Sequence, residues 1–236
     1  MMEFYLLDLF DWTDFAAVAL LLVGWQAVSW RIEHPSASHP SITRIMSGYR
    51  HRWMKEMITR EPRIFDAQVM SSLRQGTAFF ASTALISIGG VLALASNPAP
   101  LEGFAETFGT EVPTPVVWQI KLLLVILCLT NGFLKFVWSN RLFGYCAVLM
   151  GAVPNDPNDP EAQVFATKAA QINVRSAINF NRGLRSMYFA LAALAWLIGA
   201  IPLAIASAFT LWVLWNREFS SLPRRILLSK QDATKS

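Results

Sequence analysis

Twenty-one consecutive residues, Gly76 to Ser96, carry no charged side chain. Lipid offers the backbone no hydrogen-bond partners, so an apolar run of about 18 or more residues is best used as a helix that bonds its own N–H and C=O groups across a bilayer. The run does not stand alone. Apolar residues make up 54% of the 236-residue chain and charged ones only 15%, which is not the balance of an ordinary soluble domain. The expected fold is therefore all-α, a polytopic transmembrane helix bundle forming one membrane domain.

Crossings are expected at about 15–30, 76–96 and 115–138. Trp12 and Trp30 bracket the first, and Trp118 and Trp138 mark the third, as interfacial aromatics do. Met187 to Trp215 is then almost purely apolar over 29 residues. One straight helix of that length spans about 43 Å, more than the roughly 30 Å hydrocarbon core. Gly199-Ala200-Ile201-Pro202 lies at its middle. The stretch is either one kinked helix or two crossings, at 184–200 and 202–216, with Pro202 opening the second.

Charge arbitrates between four crossings and five. With the N-terminus outside and five crossings, every Lys and Arg except Lys121 and Lys135 falls in cytoplasmic segments 31–75 and 139–183, at Arg185 on the cytoplasmic edge of the fourth crossing, or in the basic tail 217–236. Four crossings would put the basic tail outside, against the positive-inside tendency. The N-terminus carries Glu3, Asp8, Asp11 and Asp14 and no base before the first crossing, so no cleaved signal peptide is expected. The net charge of +4 is accounted for by this topology, and no nucleic-acid partner is expected.

The cytoplasmic segments contain two amphipathic helices, about Ser41 to Arg60 and Pro160 to Arg182. Ser41 is a cap, and Ile42, Ile45, Met46, Tyr49, Trp53 and Met57 share one face. Pro62 interrupts the first helix. Asp159, Pro160 and Glu161 are cap, first helical residue and dipole-matched acid for the second. The 76–96 crossing is rich in Ala, Ser, Thr and Gly, which let helix backbones approach closely, so it is expected at the centre of the bundle. A short interfacial turn is expected around Leu101 to Phe108.

Several motifs recur in a familiar order. They are Arg60-x-x-Arg63-Ile64-x-Asp66-x-Gln68, Phe79 to Thr83, Lys135-Phe136-x-Trp138-Ser139-x-Arg141, Gly151-Ala152-x-Pro154, Asn181-x-Gly183-x-Arg185-x-x-Tyr188-Phe189-Ala190 and Arg217-Glu218-Phe219-x-Ser221. Together they resemble a family of multi-spanning membrane proteins known as domain of unknown function five-nine-nine, over about Asp14 to Ser221. The resemblance implies a bacterial inner-membrane protein with four helices, and it carries over no activity.

Two groups of residues are candidates for a site. Arg60, Arg63, Asp66, Gln68, Arg141, Asn181 and Arg185 all fall near a cytoplasmic membrane end, where arginine suits bidentate capture of a carboxylate, a phosphate or a lipid headgroup. The structural reading of the same residues is ionic locks at helix ends. Lys121 and Lys135 are intramembrane charges, each three residues from a tryptophan and so able to snorkel. His34, His39 and His51 lack metal-site spacing, and Cys128 and Cys146 form no ligand pair, so no metal or other cofactor is expected. The Asn155–Asp159 run lacks the glycine and terminal Glu of a calcium loop. There is no nucleophile elbow, P-loop or dinucleotide fingerprint, and catalysis is not expected. Two functions stay open. One is a small homo-oligomeric channel or transporter built on the small-residue second crossing and the Lys-bearing third. The other is a non-catalytic accessory or scaffold subunit of a membrane complex.

Overall fold

The computed structural model describes residues 9–101, 103 and 113–229, and within them the chain is helical without strands. The expected interfacial turn near Phe108 and the basic residues Lys230 and Lys235 lie outside the described residues. Helix α1 is Trp12–Glu33, α2 Ile42–Met57, α3 Ile64–Ser96, α4 Pro115–Gly151, α5 Pro160–Leu194, α6 Ala200–Trp215 and α7 Leu222–Leu228.

The local signals act where they fall. Ser41 accepts from the Arg44 N–H at 3.2 Å and donates its hydroxyl to the Ile32 carbonyl at 2.7 Å, so one residue caps α2 and fixes its corner with α1. Pro62 lies in the break between α2 and α3. Asp159 accepts from the Glu161 N–H at 2.8 Å, with Pro160 as the first residue of α5. The long apolar stretch does not continue as one helix. A 3-10 turn, Ala195–Leu197, leads to Gly199 at φ 157, a conformation open to glycine and strained for other residues. The chain reverses there, and the second helix opens at Ala200, two residues before Pro202.

Four helical segments are long and apolar enough to cross a membrane: Trp12–Glu33, Ile64–Ser96, Pro115–Gly151 and Ala200–Leu228. The second half of α5 runs beside them. Its Arg182 and Arg185 meet Glu33 at one end of α1, and Trp196 of the 3-10 turn that follows it donates Nε1 to Asp14 Oδ1 at 2.5 Å near the other end. This half therefore runs the length of α1. Asn179, Asn181, Arg182 and Arg185 make it too polar to qualify by composition.

Helices α3, α4 and α5 have 33, 37 and 35 residues, or about 50–55 Å each, and outreach a bilayer core. Their surplus forms a second layer. Met54, Met57, Met70, Phe143, Cys146 and Met150 pack there on a row of α5 alanines, Ala162, Ala166, Ala169 and Ala170. The apolar layer is centred on Leu21, Val125, Phe189, Ala193 and Leu203.

The small-residue helix is not central. Helix α3 packs principally on α4, and only 6% of its apolar window is buried. A methyl group at Gly89 or Gly90 would meet nothing within 4 Å. Close helix approach occurs instead between α4 and α5, where a methyl at Gly183 would lie 2.6 Å from Phe136 and one at Gly132 would lie 3.4 Å from the Gly183 carbonyl. A small-residue stripe marks a face for close contact and does not say which helix fills it.

Candidate functional site

At the Glu33 end, α1 stops, α2 starts, α5 passes and α6 gives way to a π-helical turn, Asn216–Ser220. Polar side chains from all four converge. Arg182 Nε donates to Glu33 Oε1 at 2.9 Å and its Nη2 to Oε2. Arg185 Nη2 donates to Oε1 at 2.5 Å. Arg185 is 3% exposed, and its Nε is buried without a partner. Beside this triad, Glu218 accepts from both the Thr43 N–H and its hydroxyl at 3.1 Å, and Asn181 Nδ2 donates to Thr43 Oγ1 at 3.4 Å.

A second polar cluster ties α2 to α3. Asp66 is fully buried and accepts from Trp53 Nε1 at 2.6 Å and Arg60 Nη1 at 2.5 Å. Arg63 turns the other way. Its Nη1 donates to the Val153 carbonyl at 2.7 Å and its Nη2 to the Pro154 carbonyl at 2.8 Å, holding the turn after α4.

The seven residues singled out by sequence are thus divided. Arg60 pairs with Asp66, Arg63 binds the turn after α4, and Asn181 and Arg185 join the Glu33 cluster. Gln68 is exposed, and Arg141 bonds Tyr145 of its own helix at 2.6 Å. Lys121 is 8% exposed, with Nζ 5.7 Å above the Trp118 ring, whereas Lys135 is half-buried. Sequence reasoning missed Glu33, Arg182, Trp53 and Thr43. Glu33 carried a signal, being an acid three residues past Trp30 at an otherwise basic end. Its partners are 149 and 152 positions away, beyond any local pattern.

The geometry offers ionic locking and anion recognition more than bond-making. Among the described residues no group of three or more His, Cys, Asp or Glu is placed to hold a metal ion. Cys128 and Cys146 are buried free thiols. A groove of about 630 Å³ runs between α3 and α4, with Met70 and Met150 in its wall and Arg63 and Arg74 among its polar residues. No curated protein and no solved structure matches the chain. The family described as protein of unknown function, DUF599, matches residues 16–223, and the chain belongs to that family.

Proposed function

We infer that the chain is a multi-pass protein of the bacterial inner membrane that serves as a non-catalytic subunit of a membrane assembly. The observation that carries this is α3. It rests on the bundle along one side only and turns Ala78, Ser82, Gly89 and Ala93 outward at steps of four or seven residues. Such a face gains little from lipid and suits a second transmembrane helix at close range.

The hairpin at Gly199 supports five crossings, and the location of Arg31, Arg182 and Arg217 at one end of the bundle supports an outside N-terminus and a cytoplasmic C-terminus. The channel reading is the weaker one. Trp118, Phe136 and Phe189 are fully buried and fill the interior of one copy, and Lys121 lies folded on Trp118.

Native mass spectrometry of the gently solubilised protein tests the assignment. A defined complex, with copies of itself or with another chain, is expected, and a monomer throughout would overturn it. Transport by such a complex that falls on Lys121→Ala or Lys135→Ala would restore the channel reading.

A further inference from the structure

A cavity of about 310 Å³ lies between the first half of α2, the Leu73–Thr77 part of α3 and the Ala177–Asn181 part of α5. The Glu33 cluster closes one end of it through Asn181, Arg217 and Glu218. Arg50 projects into it from α2.

The chain gives Arg50 little to hold. Its Nη1 donates to Oδ1 of the fully buried Asn173 at 2.5 Å, and that is its one hydrogen bond among the described residues. The ion pairs among the described residues are Arg52–Glu56, Arg60–Asp66, Arg182–Glu33 and Arg185–Glu33, so no carboxylate pairs with Arg50. Burial pulls its pKa below the ordinary arginine value, though an arginine stays charged in proteins. A guanidinium carries five N–H donors in a planar fork. The other nitrogens of Arg50 are not sealed in the interior, and they retain access to the cavity.

Arg217 is a second cation without a carboxylate among the described residues, where its one bond is to Tyr188 Oη at 2.7 Å. The one acid in the lining, Glu218, is already engaged by Thr43 at the start of α2. The cavity therefore holds two arginines from different elements against one occupied carboxylate. Withdrawing a cation from water is costly unless an anion or hydrogen bonds compensate.

We propose that this cavity binds a phosphate group, borne either by a soluble phosphate compound or by the headgroup of an anionic phospholipid, with Arg50 as its principal ligand and Arg217 as its second. Two guanidinium forks approaching from separate helical elements suit a tetrahedral, many-oxygened anion better than a planar carboxylate. The volume is at the small end for ligand pockets, enough for a headgroup and not for acyl chains. The site stands on Arg50 and its surroundings, independently of what covers α3.

The test uses the full-length protein in neutral detergent. Its thermal midpoint is followed with added phosphate against chloride at equal ionic strength, and with phosphatidylglycerol against phosphatidylcholine. A ligand that binds only the folded state raises the midpoint. The wild type is expected to respond, and Arg50→Gln to need roughly tenfold or more ligand for the same shift, the usual effect of losing a charge-assisted bond. A response to phosphate assigns a soluble ligand, and one to phosphatidylglycerol alone assigns the lipid. No wild-type response to either overturns the proposal, and so does a response that Arg50→Gln leaves intact. If Arg50→Gln does not fold, Arg217→Gln, at an exposed position, decides in the same way.

Discussion

Arg185 on α5 donates to Glu33 at the end of α1 at 2.5 Å, with its own side chain only 4% exposed and that of Glu33 12% exposed. Arg182 binds the same carboxylate from one turn earlier. One acid thus serves two arginines and ties the first helix to the fifth where both leave the apolar layer. A charge so withdrawn from water depends on its partner, because the desolvation already incurred is not recovered when the partner is removed.

Glu33→Ala should therefore destabilise the protein by about 3–5 kcal/mol, the usual cost of leaving a buried charge alone. A thermal melt of the solubilised protein reads this directly. The double variant Glu33→Leu/Arg185→Met removes both charges and should regain most of the loss. A single variant melting like wild type would mean that the triad is not a lock.

The glycines give a contrast within one chain. Gly183→Ala puts a methyl 2.6–2.9 Å from three atoms of the Phe136 ring. Phe136 is itself fully buried and stacks on Phe80 with centroids 5.5 Å apart, so it has little room to yield. A loss of about 1–3 kcal/mol follows from overpacking. Gly89→Ala has open space and should leave the melt of a detergent-isolated single copy nearly unchanged.

Arg63 joins the start of α3 to the turn after α4 through two carbonyls. Arg63→Ala should cost about 1.5–3 kcal/mol, the range for hydrogen bonds to a charged group. The damage should be local, with faster hydrogen exchange around Val153 to Asp156. Arg63→Lys keeps the charge, lacks the planar fork and should rescue only part. Uniform exchange across the chain in both variants would contradict this.

Topology follows from the reversal at Gly199. A reporter fused after Ser236 should be active on the cytoplasmic side, and a small tag inserted at Gly199 should be reached from outside. A C-terminal reporter active outside would mean that the α5–α6 hairpin does not cross.

Much of the fold was legible because its signals are local. Asp159-Pro160, Ser41, Pro62 and Gly199 act through neighbours a few residues away, and each fell at the break or cap it announced. The choice between a kinked helix and a hairpin rested in the sequence on charge placement, and in the structure it rests on the φ of Gly199, which no sequence pattern states. The site was legible only in part. Arg60, Arg63, Asp66, Asn181 and Arg185 are engaged in buried or half-buried contacts, but at three separate places, because Glu33 and the Val153 carbonyl, partners of Arg185 and Arg63, come from remote parts of the chain. Helix α3 was misplaced for a related reason: composition shows that a face permits close contact, and the contact itself lies in the tertiary arrangement, or in another chain.

The central claim is that the outward face of α3 is covered in the membrane by another transmembrane helix. A photo-crosslinking side chain introduced at Gly89 in native membranes tests it most directly, with the same group at Leu191 of α5 as control. Both positions are exposed in a single copy, Leu191 at 64%. The account predicts a discrete protein adduct from position 89 and none from position 191. Equal yields from both, or lipid adducts alone from position 89, would contradict it.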